Sequence, residues 1–146
     1  MEEFIMTVAI RYQTRNGNTK AFAEQISTVA GVPAESVETP VTETDLLFFG
    51  GGTYFMKPDS SASAFMKGLD ASKVKKIALF TTSGGPEMVS DKALTKIANQ
   101  KGIEIVGHFH QVMGGKGMKL LGSHGGKLKP EQIELVKQFA KEMLTK

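Results

Sequence analysis

Residues 5–19 read IMTVAIRYQTRNGNT. The first half, Ile5 to Tyr12, is nearly continuous in apolar residues, as a strand buried on both faces is. The second half is polar and ends where Lys20 to Ala30 takes up helical spacing, with Phe22, Ile26 and Val29 at i, i+4 and i+7. A buried strand that turns through a short polar loop into a helix is the opening of a βα unit, so this stretch argues for a parallel sheet covered by helices. The loop, Thr14-Arg-Asn-Gly-Asn-Thr19, sits at a helix N-terminus, where unpaired N–H groups and the positive end of the helix dipole favour an anion. Thr14, Asn16, Asn18 and Thr19 add side-chain donors, and Gly17 permits a backbone conformation closed to larger residues. A phosphate monoester fits that description; a plain capping turn uses the same residue types. The loop lacks the lysine of GxxxxGK[ST] and the spacing of GxGxxG, which excludes the usual triphosphate and dinucleotide loops.

Further along, Leu46 to Gly50, Ile77 to Thr82 and Ile103 to Phe109 have strand character, with a weaker candidate at Ala34 to Val37. Helical stripes lie between and after them: Ala62, Phe65, Met66 and Leu69; Val89, Ala93 and Ile97; and Ile133, Val136, Ala140, Met143 and Leu144 behind Pro130, a favoured first helical position. Gly102 suits a helix stop. The alternation predicts an α/β sandwich of three layers, a five-stranded parallel sheet with helices on both faces, in one domain over residues 1–146. No internal repeat or linker is visible, and Val112 to Lys129 reads as a surface loop within the domain.

Ligands of open parallel sheets sit outside the carboxyl ends of the strands. The segments there are TRNGNT, then GGTYFMKPD after Leu46 to Gly50, then SGGPE after Ile77 to Thr82. They hold glycine, hydroxyl and aromatic groups and no acid and histidine pair suited to proton transfer, so the expectation is a site that binds, with no catalytic side chain. His108 and His110 share one face of the last strand, with no carboxylate or third ligand indicated nearby, and no metal site is expected.

The 146 residues include no cysteine, which excludes disulfides and thiol chemistry and fits a reducing compartment. The start, MEEFIMTVAI, carries acid where a signal peptide carries base, and no apolar run approaches a membrane span; a cytoplasmic chain with no membrane contact is expected. Net charge is +3, from 18 Lys and Arg against 15 Asp and Glu, mostly interspersed apart from Lys116, Lys119, Lys127 and Lys129. That balance points to a solvated surface and gives no case for nucleic acid.

Tyr12-Gln-Thr-Arg-Asn-Gly-Asn-Thr19 resembles the phosphate loop of the flavodoxin family, T/S-x-T/S-G-N-T, at five of six loop positions; Asn16 stands where the family has a hydroxyl. Asp45-Leu-Leu-Phe-Phe-Gly-Gly-Gly-Thr-Tyr54 is similar to the family's third strand and its G-x-x-T-W/Y loop, and Ala78-Leu-Phe-Thr-Thr-Ser-Gly-Gly85 to its fourth strand and second flavin loop. The resemblance implies a flavodoxin-like strand order 2-1-3-4-5 and noncovalent FMN. It implies a phosphate site at Thr14, Arg15, Asn16, Gly17, Asn18 and Thr19. The flavin would lie among Gly52, Thr53, Tyr54, Phe55 and Met56 and the second loop, Thr82, Ser83, Gly84 and Gly85, with Tyr54 at the ring. It further implies a monomeric electron carrier for redox partner proteins; the rival readings are an NAD(P)H-dependent flavin or quinone reductase on the same fold, and a module that has lost the cofactor.

Overall fold

Successive residues of the central strand enter different apolar clusters, Leu46 and Phe48 one, Leu47 and Phe49 the other. Such alternation on both faces requires a helical layer on each side of a sheet. The structure, a computed structural model, describes residues 6–54, 57–84, 89–113 and 127–145. Its elements are β1 (Val8–Tyr12), α1 (Asn18–Ala30), β2 (Ala34–Ser36), β3 (Thr44–Tyr54), β4 (Lys57–Pro58), α2 (Ser60–Gly68), β5 (Val74–Ser83), α3 (Val89–Lys101), β6 (Glu104–Val112) and α4 (Pro130–Leu144).

The long strands run parallel in the order β2-β1-β3-β5-β6, and β4 pairs antiparallel with the end of β3. Counted without β4, this is the expected order 2-1-3-4-5. One face is covered by α1 and α4, whose Phe22, Ile26, Val136 and Phe139 pack on Ile10, Phe48 and Phe80. The other carries α2 and α3, whose Met66, Leu94 and Ala98 meet Leu47, Phe49 and Leu79. Each fully buried large side chain contributes roughly 1.5–3 kcal/mol. Edge-on contacts of Phe22 with Phe109 (5.5 Å) and of Phe48 with Phe139 (6.2 Å) orient the first cluster.

The four helices among the described residues fall where the apolar stripes place them. Gly31 (φ 75°) and Gly102 (φ 76°) close α1 and α3 in the left-handed conformation; at Gly102 the Ile103 N–H reaches back to the Ala98 carbonyl at 3.0 Å.

Strand ends differ from the sequence reading. Instead of stopping at Gly50, β3 runs on to Tyr54, because Gly50, Gly51 and Gly52 pair with Phe80, Thr81 and Thr82 and the strand then turns back against β4. Gly50 to Gly52 are therefore ladder residues, and at Gly50 the missing side chain makes room for the Phe80 ring, with no ligand involved. The last strand likewise extends past Phe109 to Val112, since Thr81 to Ser83 supply partners for His110 to Val112. One irregularity interrupts that pairing: Ile77 faces Ile105 but Ala78 faces Gly107, leaving Val106 as an extra residue.

Candidate functional site

Parallel strands deliver β1, β3 and β5 to the same edge of the sheet, so the loops that follow them converge. After β1, the Gln13 N–H donates to the Gly50 carbonyl at 2.9 Å, holding the chain in register for one more residue before it leaves the sheet. The Thr14 hydroxyl then accepts from the Gly17 N–H at 2.9 Å, closing a tight turn. Gly17 lies at φ 97° as the N-cap of α1 and has no side chain with which to make a cap bond of its own. By contrast, Asp59 caps α2 by accepting from the Ser61 N–H at 3.1 Å. The α1 terminus is thus formed by glycine, backbone and the Thr14 turn, with Arg15 and Asn16 exposed beside it.

Hydrogen bonds between side chains tie the loops together. The buried Thr19 and Thr82 hydroxyls meet at 3.1 Å, joining the first turn of α1 to the end of β5. Thr53 meets Ser90 at 2.7 Å, joining the end of β3 to α3. Buried Gln13 accepts from the Gly52 N–H at 3.1 Å and donates to the Tyr54 hydroxyl at 3.4 Å. The Tyr54 ring folds back over Gly52, where a Cβ would stand 2.6 Å from the Tyr54 hydroxyl oxygen.

Arg15 completes the arrangement. Its guanidinium carbon lies 3.9 Å from the centroid of the Tyr54 ring, and its NH2 group pairs with Asp59 at 2.9 Å. Hydrogen bonds from the Ser61 hydroxyl and from Arg15 hold the Asp59 carboxyl below its ordinary range, against the opposing effect of partial burial. An aromatic ring, a cation and the start of a helix therefore stand together.

Of the residues expected at the site, the structure brings Thr14 to Thr19, Gly52, Thr53, Tyr54, Thr82, Ser83 and Gly84 to this edge; Phe55, Met56 and Gly85 lie outside the described residues. So do His124 and most of the Val112 to Lys129 segment. Gln13 and Ser90 were not anticipated. Gln13 is signalled only weakly, as a polar residue directly after a buried strand.

The expectation that no acid stands near the histidines is corrected. Asp91, buried in the first turn of α3, receives the Thr81 hydroxyl on Oδ1 and His108 Nδ1 on Oδ2 at 3.1 Å. His110 lies with Nδ1 2.7 Å from Thr81 Oγ1 and 3.7 Å from Asp91 Oδ1, and with Nε2 2.8 Å from Ser83 Oγ. The sequence hid this because Asp91 belongs to a helix, and only the crossover from β5 to β6 lays that helix beside them. Beyond Asp91 an open groove of about 730 Å³ runs along α3, lined by Lys92, Thr95, Lys96 and His108 among others. No group of three or more His, Cys, Asp or Glu side chains among the described residues is arranged to hold a metal ion. No described helix is long and apolar enough to cross a membrane.

Solved structures share this architecture at near full length. A flavodoxin from the domain Archaea superposes with TM-score 0.66 at 16% identity, covering 96% of this chain and 97% of its own. Two-electron reduced Megasphaera elsdenii flavodoxin superposes with TM-score 0.64 at 24% identity, covering 92% and 98%. The chain has a flavodoxin-family fold. A Lactobacillus acidophilus flavoprotein, solved in complex with FMN, shares it over 73% of this chain and 93% of its own, with TM-score 0.58 and 14% identity. No protein-family model and no curated protein sequence matches the chain. In flavodoxin-fold terms, the converging loops lie at the carboxyl edge of the sheet, where the strand order reverses between β1 and β3.

Proposed function

We propose that this chain binds FMN noncovalently at the three converging loops and carries electrons between redox proteins. The observation that carries the reading is the joining of the three loops at one sheet edge, with the α1 terminus opened by Gly17 and an aromatic ring beside it. Those groups fit the cofactor's two ends. The phosphate suits the α1 terminus with Thr14, Asn16, Asn18 and Thr19, where N–H groups and the helix dipole favour a dianion. The flat ring system suits Tyr54, with Thr82, Ser83 and Gly84 at its edge and Phe55, Met56 and Gly85 as adjoining members. FMN supplies one- and two-electron chemistry when bound.

The chain's own residues bind and orient. Arg15 lies over the Tyr54 ring within the phosphate loop, so a flavin that stacks on that ring displaces its guanidinium, which then serves as a cation for the phosphate. Redox proteins are the corresponding partners.

The test is titration of the ligand-free protein with FMN. Quenching of flavin fluorescence with a shifted flavin spectrum is the expected result, and its absence with excess FMN refutes the proposal. Steady NADPH oxidation by the loaded protein alone, with a quinone as acceptor, refutes the carrier role and leaves the binding site standing.

A further inference from the structure

Along the outer side of α3, Lys92, Thr95, Lys96, Asn99 and Gln100 fall at i, i+3, i+4, i+7 and i+8, one polar stripe that together with His108 of β6 lines the open groove of about 730 Å³. Each side chain of the stripe can donate a hydrogen bond, and two carry positive charge. Among the described residues neither Lys92 nor Lys96 forms an ion pair. The acid at the head of the groove, Asp91, is not their counter-charge: its side chain is 3% exposed and already receives Thr81 and His108. Thr95 adds an unmet demand. Its hydroxyl oxygen is buried without a hydrogen-bond partner among the described residues, a state that costs stability. Rotation about χ1 exchanges that hydroxyl with the methyl and brings it round to an occupant of the groove.

Spacing selects the shape of that occupant. Lys92 and Lys96 are one turn apart, with Cβ atoms about 5–6 Å from each other. An extended chain repeats its side chains on one face every ~6.7 Å, so carboxylates at alternate positions match the two ammonium groups. From Lys92 to Gln100 the helix rises about 12 Å, the reach of about four extended residues. Among the described residues β6 ends the sheet on this side, so an extended segment enters the groove past an edge strand without displacing another. Charge argues against two nearer occupants. A second copy meeting this face with its own would set lysines against lysines, and residues 114–126 of this chain hold Lys116 and Lys119 and no acid.

We propose that the groove between α3 and β6 docks an extended acidic segment of a partner protein, with carboxylates at alternate positions on Lys92 and Lys96 and an acceptor on the Thr95 hydroxyl. The head of the groove stands beside the candidate site, since Ser90, one residue before Asp91, meets Thr53 at 2.7 Å and donates to the Gly52 carbonyl at 3.3 Å. A segment held here keeps its protein next to the converging loops.

The test uses the ligand-free full chain, so this proposal and the FMN reading fail separately. A capped peptide of about eight residues that alternates Glu and Thr is titrated into the ¹⁵N-labelled protein, beside a second peptide with Lys in place of each Glu. For the acidic peptide alone, amide shifts should appear at residues 92–100 and around His108, with an affinity that falls several-fold between about 50 and about 200 mM salt. Lys92→Glu combined with Lys96→Glu should weaken the acidic peptide at least about tenfold and admit the basic one. Thr95→Val should also weaken it, yet leave the urea midpoint of the free protein no lower than that of the wild type, because the hydroxyl removed has no partner to lose. Binding that ignores salt or the charge reversal, shifts outside the groove, or no shifts at all overturn the proposal. Concentration-dependent self-association in sedimentation that shifts the same amides also overturns it, by assigning the groove to a second copy.

Discussion

Replacing Gly50 by alanine should be among the costliest one-methyl changes in this protein. Gly50 and Phe80 are paired across β3 and β5, and the alanine Cβ would fall onto three carbons of the Phe80 ring. That ring is wholly buried and shares its cluster with Ile10, Phe22 and Phe48, so it has no open space into which to swing. Inserting a methylene-sized group into a close-packed core costs about 1–3 kcal/mol, and a rigid ring on a central strand puts the cost near ~3. At about 2–4 °C per kcal/mol for a domain of this size, Tm should fall by about 6–12 °C. Thermal unfolding followed by circular dichroism measures it. The reasoning makes a sharper claim about the pair. Phe80→Leu removes ring carbons that the methyl meets, so Gly50→Ala with Phe80→Leu should be more stable than Gly50→Ala alone, a coupling within the ~0.5–3 kcal/mol range of contacting residues. A Gly50→Ala protein within ~0.5 kcal/mol of wild type, or a double variant no better than the sum of its parts, refutes the argument.

FMN should bind at least about a hundredfold more tightly than riboflavin, since two charge-assisted hydrogen bonds at roughly 1.5–3 kcal/mol each suffice; equal affinities by fluorescence titration would reduce the α1 terminus to an ordinary helix start. Arg15→Ala should change stability by less than ~1 kcal/mol, because its ion pair and ring contact are half exposed, whereas Asp59→Ala should cost about 1 kcal/mol through the lost α2 cap. Denaturant midpoints decide between them. Asp45 is held below its ordinary value of 3.8 first by the backbone and then by the hydroxyl of Thr7, and Asp70 by the Ser72 hydroxyl and backbone. Folded values that are depressed contribute stability above the unfolded pKa and lose it as pH falls through the folded value. The urea midpoint should therefore drop below pH ~3.8, and a midpoint unchanged from about pH 5 to about 3 would exclude the contribution.

Sequence made the layer order readable because apolar runs and helical stripes are local. The βα opening, the three loops at one edge, the helix stop at Gly102 and the helix start at Pro130 all follow from residues within a turn or two of each other. What it hid depends on neighbours in space. Gly51 and Gly52 look like a loop until β5 supplies their hydrogen-bond partners. Tyr54 looks like an open platform until the fold sets Arg15 upon it. Asp91 reads as an ordinary first-turn acid until α3 packs beside β6 and makes it the acceptor of a buried network.

The extra residue at Val106 has a consequence of parity. Side chains alternate along a strand, so a one-residue insertion exchanges the faces of everything beyond it. Ile105 points toward the α2 and α3 layer; after the insertion Gly107 packs beneath Met143 and Phe109 joins the α1 and α4 layer. Only then do His108 and His110 turn toward Asp91. Deleting Val106 while keeping the downstream pairing would leave Gly107 directly after Ile105 in regular alternation, with His108 and His110 still opposite Leu79 and Thr81 and still on the Asp91 side. It is the bulge that gathers the histidines: the same sequence in unbroken alternation from Ile105 would turn His108 and His110 to the α1 and α4 layer.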